Sequence, residues 1–150
     1  MKIKHLFFIC LVLTQLACSA QAILLEGTTW KVVDYLKLQG IVSSSFEEAI
    51  TKVGLKVIYT SNGIHVGEHF FKIKKVVHDT IDEKMLWKET AGSSSRPLTF
   101  KDLGFLGKFL EVIEYKVEGG RDIGLYLFII DNNTMISNWH GIYYILKRQK

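Results

Sequence analysis

The sequence predicts a mainly β domain, an antiparallel meander of six to eight strands that closes into a small barrel, with one short helix after the first strand. Three observations support this fold class. Residues that favour strands are abundant, apolar and polar residues alternate in short segments between Gly and Asn turn signals, and the chain has a single proline, Pro97. Regular short strands of this kind are typical of a sandwich or a closed barrel.

The N-terminus has the three parts of an export signal. Lys2 and Lys4 make a positive start, residues 6–13 form an unbroken apolar run, and Ala20-Gln21-Ala22 has the small-x-small form of a cleavage site. An apolar run of about eight residues falls far short of the roughly 20 that a membrane-spanning helix needs. We therefore expect cleavage after Ala22.

This cleavage divides the chain into a signal peptide at 1–22 and a single mature domain at 23–150, periplasmic or secreted from a bacterial cell. A second processing route stays open. Leu16-Ala17-Cys18 resembles the end of a bacterial lipobox, although Gln15 stands where a leucine is usual. Lipidation at Cys18 would tether the protein to a membrane. Both cysteines lie in the leader, so the mature domain has no disulfide and depends on its core.

The charge balance argues against nucleic acid as a partner. The full chain carries +4, with 19 basic and 15 acidic residues. Loss of Lys2 and Lys4 leaves 17 basic residues and a net charge of +2. A basic stripe with interleaved aromatic residues would indicate nucleic-acid binding, and the sequence has no such stripe.

The first strand begins near Trp30 and has two mixed faces. Trp30, Val32 and Asp34 alternate with Val33 and Tyr35, so neither face is purely apolar. We expect this strand to be long and bent.

A short helix over residues 46–53 follows the first strand. Ser45 and Glu48 form a capping box ahead of apolar residues at helical spacing. Gly54 stands where a glycine ends a helix in the left-handed conformation.

The next segment predicts a hairpin. Residues 55–61 alternate, and Asn62-Gly63 is typical of a type I′ turn, in which both central residues have positive φ. The return strand covers 64–71 and can extend to residue 77.

The second half of the chain predicts further strands. Residues 79–90 fit a helix or a strand equally, and 98–108 read as irregular. A meander then follows, with strands at 109–118, 121–131 and 134–148. The turns fall at Gly119-Gly120 and Asn132-Asn133, and Gly141 marks a bend.

Gly27-Thr28-Thr29-Trp30, the strand meander and the terminal Lys147-Arg148 together resemble the lipocalin (calycin) superfamily. This resemblance implies a barrel that holds a small apolar ligand. The chain departs from the pattern in an extra residue before the tryptophan, in its lack of a disulfide and in its early helix.

The string His65-Val66-Gly67-Glu68-His69 spells H-x-x-E-H, a zinc-protease signature that requires a helix. Here it follows a turn signal and lies among residues of period two, which predicts a strand. Histidines four apart on one strand are about 13 Å apart and cannot share a metal ion. We therefore expect no metal site here, with a metal shared with His78 or His140 as the remaining alternative.

Two charged segments have simple structural interpretations. Glu111 and Glu114 differ in strand parity, so they should face opposite sides and are not a catalytic pair. Lys72 and Lys74 share a face and are typical of a protected edge strand, or of contact with an acidic partner.

The aromatic content favours binding over catalysis. We expect an exported, non-catalytic protein without cofactor that holds a small hydrophobic ligand. The alternative is a periplasmic inhibitor or immunity protein that binds another protein, such as a cell-wall hydrolase or a toxin. The candidate cavity lining, which could equally be packed core, is Trp30, Tyr59, Phe70, Trp139 and Tyr144.

Overall fold

Eight antiparallel strands follow one another around a closed barrel, in which the last strand pairs with the first. This computed structural model describes residues 25–36, 46–91 and 97–150. The strands are β1 (Thr29–Tyr35), β2 (Lys56–Tyr59), β3 (Gly63–Val66), β4 (His69–Ile81), β5 (Leu110–Val117), β6 (Tyr126–Asp131), β7 (Thr134–Trp139) and β8 (Ile142–Arg148). The predicted fold class is confirmed.

In the described ranges, two helices interrupt the meander. Helix α1 (Phe46–Thr51) follows β1, as predicted, and Gly54 behind it has a φ of 97°. Helix α2 (Glu83–Thr90) follows β4, in the segment that the sequence left ambiguous. The predicted signal peptide, Cys18 and the capping residue Ser45 lie outside the described residues.

The barrel interior is filled by apolar and aromatic side chains from all eight strands. Alternation along β6 shows the division, because Leu127 and Ile129 belong to the interior cluster while Phe128 and Ile130 pack outside. Fully buried members of the interior cluster include Trp30, Val32, Val57, Tyr59, Ile64, Ile113, Leu127, Met135, Tyr144 and Leu146.

A second apolar cluster lies on the outer face of β5 to β8. Helix α2 and the connection at 97–105 pack there, through Leu86, Leu98 and Leu103. The helix begins at Asp82, whose carboxylate accepts a hydrogen bond from Met85 N at 2.7 Å. This cluster fixes the helix against the outside of the barrel.

A β-bulge explains the mixed faces of the first strand. The register of β1 against β8 shifts between Val32 and Asp34. Trp30, Val32 and Tyr35 are therefore all buried, although simple alternation separates Val32 from Tyr35.

Two predicted strands are in fact hairpins. The segment 64–71 turns at Gly67, which has a φ of 59°, and so divides into the end of β3 and the start of β4. The segment 134–148 likewise divides at His140 and Gly141, whose φ values are 51° and 79°. A left-handed residue reverses the chain at each of these positions, and neither was predicted as a hairpin turn.

The type I′ turn predicted at Asn62-Gly63 is wrong, although the hairpin itself is present. Gly63 already belongs to β3, and His140 is the one non-glycine residue at positive φ in the described part of the chain. The connection is instead held by Thr60, whose hydroxyl donates to Gly63 O at 2.8 Å. Gly63 is required for space, because a Cβ there would lie 2.1 Å from Phe70 Cε2.

The predicted turn at Asn132-Asn133 joins β6 to β7. Asp131 Oδ1 accepts a hydrogen bond from Asn133 N at 2.7 Å, which closes the turn without a left-handed residue. The sequence therefore located this hairpin correctly.

Candidate functional site

One end of the barrel is bordered by the β5–β6 connection, the β7–β8 turn and helix α1. Ala49 of α1 is buried against the interior cluster. Lys52, just after the helix, places its Nζ 5.0 Å from the centroid of the Trp139 ring. We call this end the rim.

A cleft of about 450 Å³ opens at the rim, between the C-terminus of α2 and the two connections. Three separate parts of the chain build it: the end of α2, the hairpin of β5 and β6 with its connecting loop, and the end of β7 with the β7–β8 turn. Its lining is Glu89, Thr90, Glu114, Tyr115, Gly120, Arg121, Asp122, Leu125, Tyr126, Phe128, Asn138, Trp139, His140 and Gly141. We call it the rim cleft.

The Trp139 ring is held in place on several sides. Its Nε1 donates to Arg121 O at 3.2 Å, and its face stacks on His140 with ring centroids 4.4 Å apart and an interplanar angle of 14°. His140 reaches this position in the left-handed region, which histidine adopts more readily than most residues. Contacts within the protein therefore hold the aromatic wall of the cleft.

A phenol and a carboxylate form the opposite wall. Tyr126 Oη donates to Glu89 Oε2 at 2.8 Å, which links β6 to the end of α2. Burial, and then the hydrogen bond to Glu89, raise the pKa of Tyr126 above its usual value, so the phenol keeps its proton. Glu114 lies next to this pair and contacts the ammonium group of Lys116.

A second cavity of about 220 Å³ adjoins the rim cleft and shares Glu89, Glu114 and Tyr126 with it. Its remaining lining comes from the outer faces of β4 and β5 and includes Val77 and Val112. The Tyr126–Glu89 hydrogen bond thus stands between two spaces on the outside of the barrel.

The structure brings four of the five predicted cavity residues into the interior cluster: Trp30, Tyr59 and Tyr144 are buried in it and Trp139 packs against it, its ring centroid 6.4 Å from that of Tyr144. Trp30, Tyr59 and Tyr144 are core residues with at most 2% exposure, and Trp30 also borders a pocket of only about 20 Å³ at the other end of the barrel. Phe70 is 50% exposed and lies against His65, with ring centroids 4.8 Å apart and the ring planes tilted by 46°. Of the five, Trp139 lines the rim cleft.

Sequence reasoning missed most of the cleft. Tyr126 and Glu89 gave no local signal, because they meet only when α2 folds back over the barrel. Two signals were available. The segment around Trp139 is the most aromatic part of the chain, and Glu114 is one of the two glutamates considered above for acid–base chemistry.

The carboxylates of β5 separate as their strand parity predicts. Glu114 lines the rim cleft on the outer face. Glu111 faces the other way, with its Oε1 3.6 Å from His78 Nδ1 on β4. Glu118, beyond the strand, forms an ion pair with Lys74 at 3.0 Å.

The H-x-x-E-H string lies across a hairpin. His65 is opposite Phe70 and His69 is opposite Val66 in the β3–β4 register. Opposite residues share a face, so the two histidines point to opposite faces of the sheet. The prediction of a single strand with both histidines on one side is wrong, because the chain turns at Gly67. Within the described ranges, no group of three or more His, Cys, Asp or Glu side chains is arranged to hold a metal ion.

No family model, curated protein or solved structure matches the chain. In the part of the chain that the structure describes, neither helix is long and apolar enough to cross a membrane.

Proposed function

We propose that this protein is a non-catalytic binding protein that holds a small, partly apolar ligand in the rim cleft. One observation carries the proposal: a cleft of about 450 Å³ with an ordered aromatic wall lies beside a barrel whose interior is already filled. The volume falls within the roughly 300–1,000 Å³ that is usual for small-molecule sites.

The composition of the cleft suits a ligand with an apolar body and polar ends. Trp139, Tyr126 and Phe128 offer apolar contact area. Arg121 and Asp122 add one charge of each sign at the β5–β6 connection. A few polar groups around an aromatic surface are the usual means of orienting a small molecule.

The partners of the polar groups favour binding over proton transfer. The Glu89 carboxylate accepts the Tyr126 hydrogen bond, and Glu114 contacts Lys116. Both carboxylates are therefore already engaged, and the raised pKa of Tyr126 keeps that group a hydrogen-bond donor.

We propose further that the mature domain works outside the cytoplasm, as a distant member of the lipocalin superfamily. The leader features at residues 1–22 and the Gly27-Thr28-Thr29-Trp30 segment support these two proposals from the sequence. The order of strands around the barrel is compatible with that family, in which eight-stranded up-and-down barrels are usual.

A protein target is the second candidate function. The observation that favours it is exposed apolar surface in the connection between α2 and β5, where Leu106 is fully exposed and Phe109 is 66% exposed. Apolar side chains at this level of exposure can bury against a partner. An inhibitor or immunity protein would use such a loop.

Native mass spectrometry of the protein purified from its own cells tests the small-ligand proposal. An Asn138→Trp variant should fill the cleft, because Asn138 lines it from a strand position where tryptophan is tolerated. Lys56→Trp, on the exposed face of β2, is the matched control. We expect a bound small molecule in the wild type and the control, and its loss in the cleft variant.

Two results would contradict this proposal. A ligand that stays bound in Asn138→Trp must occupy another site. A wild type that carries no small molecule but captures a protein partner, with capture lost in a Leu106→Asp, Phe109→Asp double variant, would establish the second candidate instead.

A further inference from the structure

Strand β4 is the longest strand of the barrel, with 13 residues, and its two halves pair differently. From His69 to Lys72 it pairs with β3, and from Ile73 to Ile81 it pairs with β5. The last bond towards the β2–β3 side is that of Ile73 N to Asn62 O at 3.3 Å. Among the described residues, no strand pairs with the other side of 74–80, which we call the open edge.

An open edge presents backbone N–H and C=O groups that can pair with another strand. Here it stretches over seven residues, as long as a typical strand. Val76 on this edge is 37% exposed. The surface is therefore a template for adding a strand to the sheet.

The charges along the open edge are arranged with opposite signs at its two ends. Lys75 lies near the start of the edge and faces Lys116 of β5, so the β4–β5 pair brings two like charges together. Asp79 lies near the other end, opposite the apolar Val112. Lys74 pairs with Glu118, and one oxygen of the Asp79 carboxylate accepts a hydrogen bond from the neighbouring Thr80 N at 2.7 Å.

An antiparallel second copy matches this arrangement. When Val77 is opposite its own counterpart, Lys75 lies directly opposite the partner subunit's Asp79. The two-fold axis repeats the same pair on the other side, so this register forms two Lys75–Asp79 pairs, one on each side of the axis. Val77, Lys75 and Asp79 share one face of the sheet, because they are two residues apart. Val76 then lies opposite the partner subunit's His78.

We propose that the open edge of β4 joins a second copy of this chain in an antiparallel, two-fold symmetric pair, with Val77 on the axis. The sheet becomes continuous across two barrels, and the same patch serves both subunits. The self-complementary charges select this occupant. An acidic peptide would satisfy Lys75 but would place negative charge against Asp79. The rim cleft is not needed for this contact.

Sedimentation velocity of the mature protein over a concentration series tests the proposal. We expect the wild type to dimerise. Lys75→Asp and Asp79→Lys should each raise the dimer dissociation constant by about tenfold or more, because each places like charges opposite one another twice. Lys31→Asp on the exposed face of β1 is the matched control and should dimerise as the wild type does.

Mixing the two variants gives the sharpest result. In a heterodimer of Lys75→Asp with Asp79→Lys, each new charge meets an opposite charge, so an equimolar mixture should recover wild-type dimerisation. Circular dichroism of each variant checks that the monomer stays folded, as expected for exposed positions.

Three outcomes would overturn the proposal: a wild type that stays monomeric at high concentration, single variants that dimerise normally, or a mixture that does not recover. Binding of an acidic peptide to a monomeric wild type, lost in Lys75→Asp, would assign the edge to a different partner.

Discussion

Two tyrosines inside the barrel are almost equally buried but differ in one hydrogen bond. Tyr59 is 1% exposed, and its hydroxyl donates to Gly124 O at 2.8 Å. Tyr144 is 0% exposed, and its hydroxyl has no hydrogen-bond partner among the residues that the structure describes. The change of each tyrosine to phenylalanine keeps the ring and removes the hydroxyl. A comparison of the two variants therefore isolates the contribution of the Tyr59–Gly124 hydrogen bond to stability.

The two changes should act on stability in different directions. Tyr59→Phe leaves the buried Gly124 carbonyl without its tyrosine donor, and we expect a loss of about 1–3 kcal/mol in the free energy of unfolding. Tyr144→Phe removes a buried hydroxyl that makes no bond. We expect between no change and a gain of about 1 kcal/mol, because the desolvation cost of the hydroxyl disappears.

Urea unfolding at pH 7, followed by circular dichroism, measures both effects. The expected order of midpoints places Tyr144→Phe at or above the wild type and Tyr59→Phe below it, with equal slopes for all three proteins. A Tyr144→Phe variant that loses as much stability as Tyr59→Phe would refute the reasoning, because it would show that the Tyr144 hydroxyl is bonded in solution.

The remaining predictions concern the turns, the pH dependence and the leader. Gly63→Val should cost at least about 1 kcal/mol by urea unfolding, since its side chain meets the Phe70 ring, and a Phe70→Ala change in the same protein should recover part of the loss. His140→Val should destabilise by about 1–2 kcal/mol because of its left-handed backbone, while His140→Gly should not, as thermal melts would show. Burial, followed by the nearby charges of Glu48 and Asp122, raises the pKa of Tyr144 to about 12. The unfolded chain then loses this proton first, so stability should fall between about pH 10 and pH 12, and less steeply in Tyr144→Phe. N-terminal sequencing of the exported protein should give Ile23, whereas a blocked, lipidated Cys18 would contradict cleavage after Ala22.

Local sequence patterns predicted the barrel because strand alternation and turn residues act over a few residues. The mixed faces of β1 indicated a bend, and the strand has a bulge between Val32 and Asp34. The hairpin turns at Gly67 and at His140 were not predicted, because the residues around them carry no strong local turn signal. Neither has the Asn-Gly signal, and the left-handed conformation of His140 is stabilised by contacts such as its stacking on Trp139, which only the folded chain provides.

Helix α2 was ambiguous because residues 79–90 contain the end of a strand and a complete helix. Asp82 is the signal that separates them, since it accepts a hydrogen bond from Met85 N at the helix start. The apolar residues of the helix gave weak periodicity, with Leu86 buried and Met85 and Trp87 exposed. A single buried position per turn cannot define a helix face against the competing strand pattern.

The candidate site was harder to predict than the fold. Alternation along a strand shows which face of the sheet a side chain lies on, but it does not show whether a cavity lies next to that face. Trp30, Tyr59 and Tyr144 do point into the barrel, as an inward cavity lining would. Whether they enclose a void depends on the summed volumes of side chains from eight strands. No local pattern in the sequence contains that sum.

The filled interior and the external cleft have a common physical origin. The interior of an eight-stranded barrel has room either for its own side chains or for one small ligand, and here buried aromatic rings such as those of Trp30, Tyr59 and Tyr144 occupy it. A binding space must then come from elements added outside. Helix α2 supplies it, because the Thr90 hydroxyl anchors the helix end by donating to Leu86 O and accepting from Leu98 N, at 2.9 and 2.8 Å. With that end fixed, Glu89 is held across from Trp139 in the rim cleft, so the cleft is built from contacts within the protein.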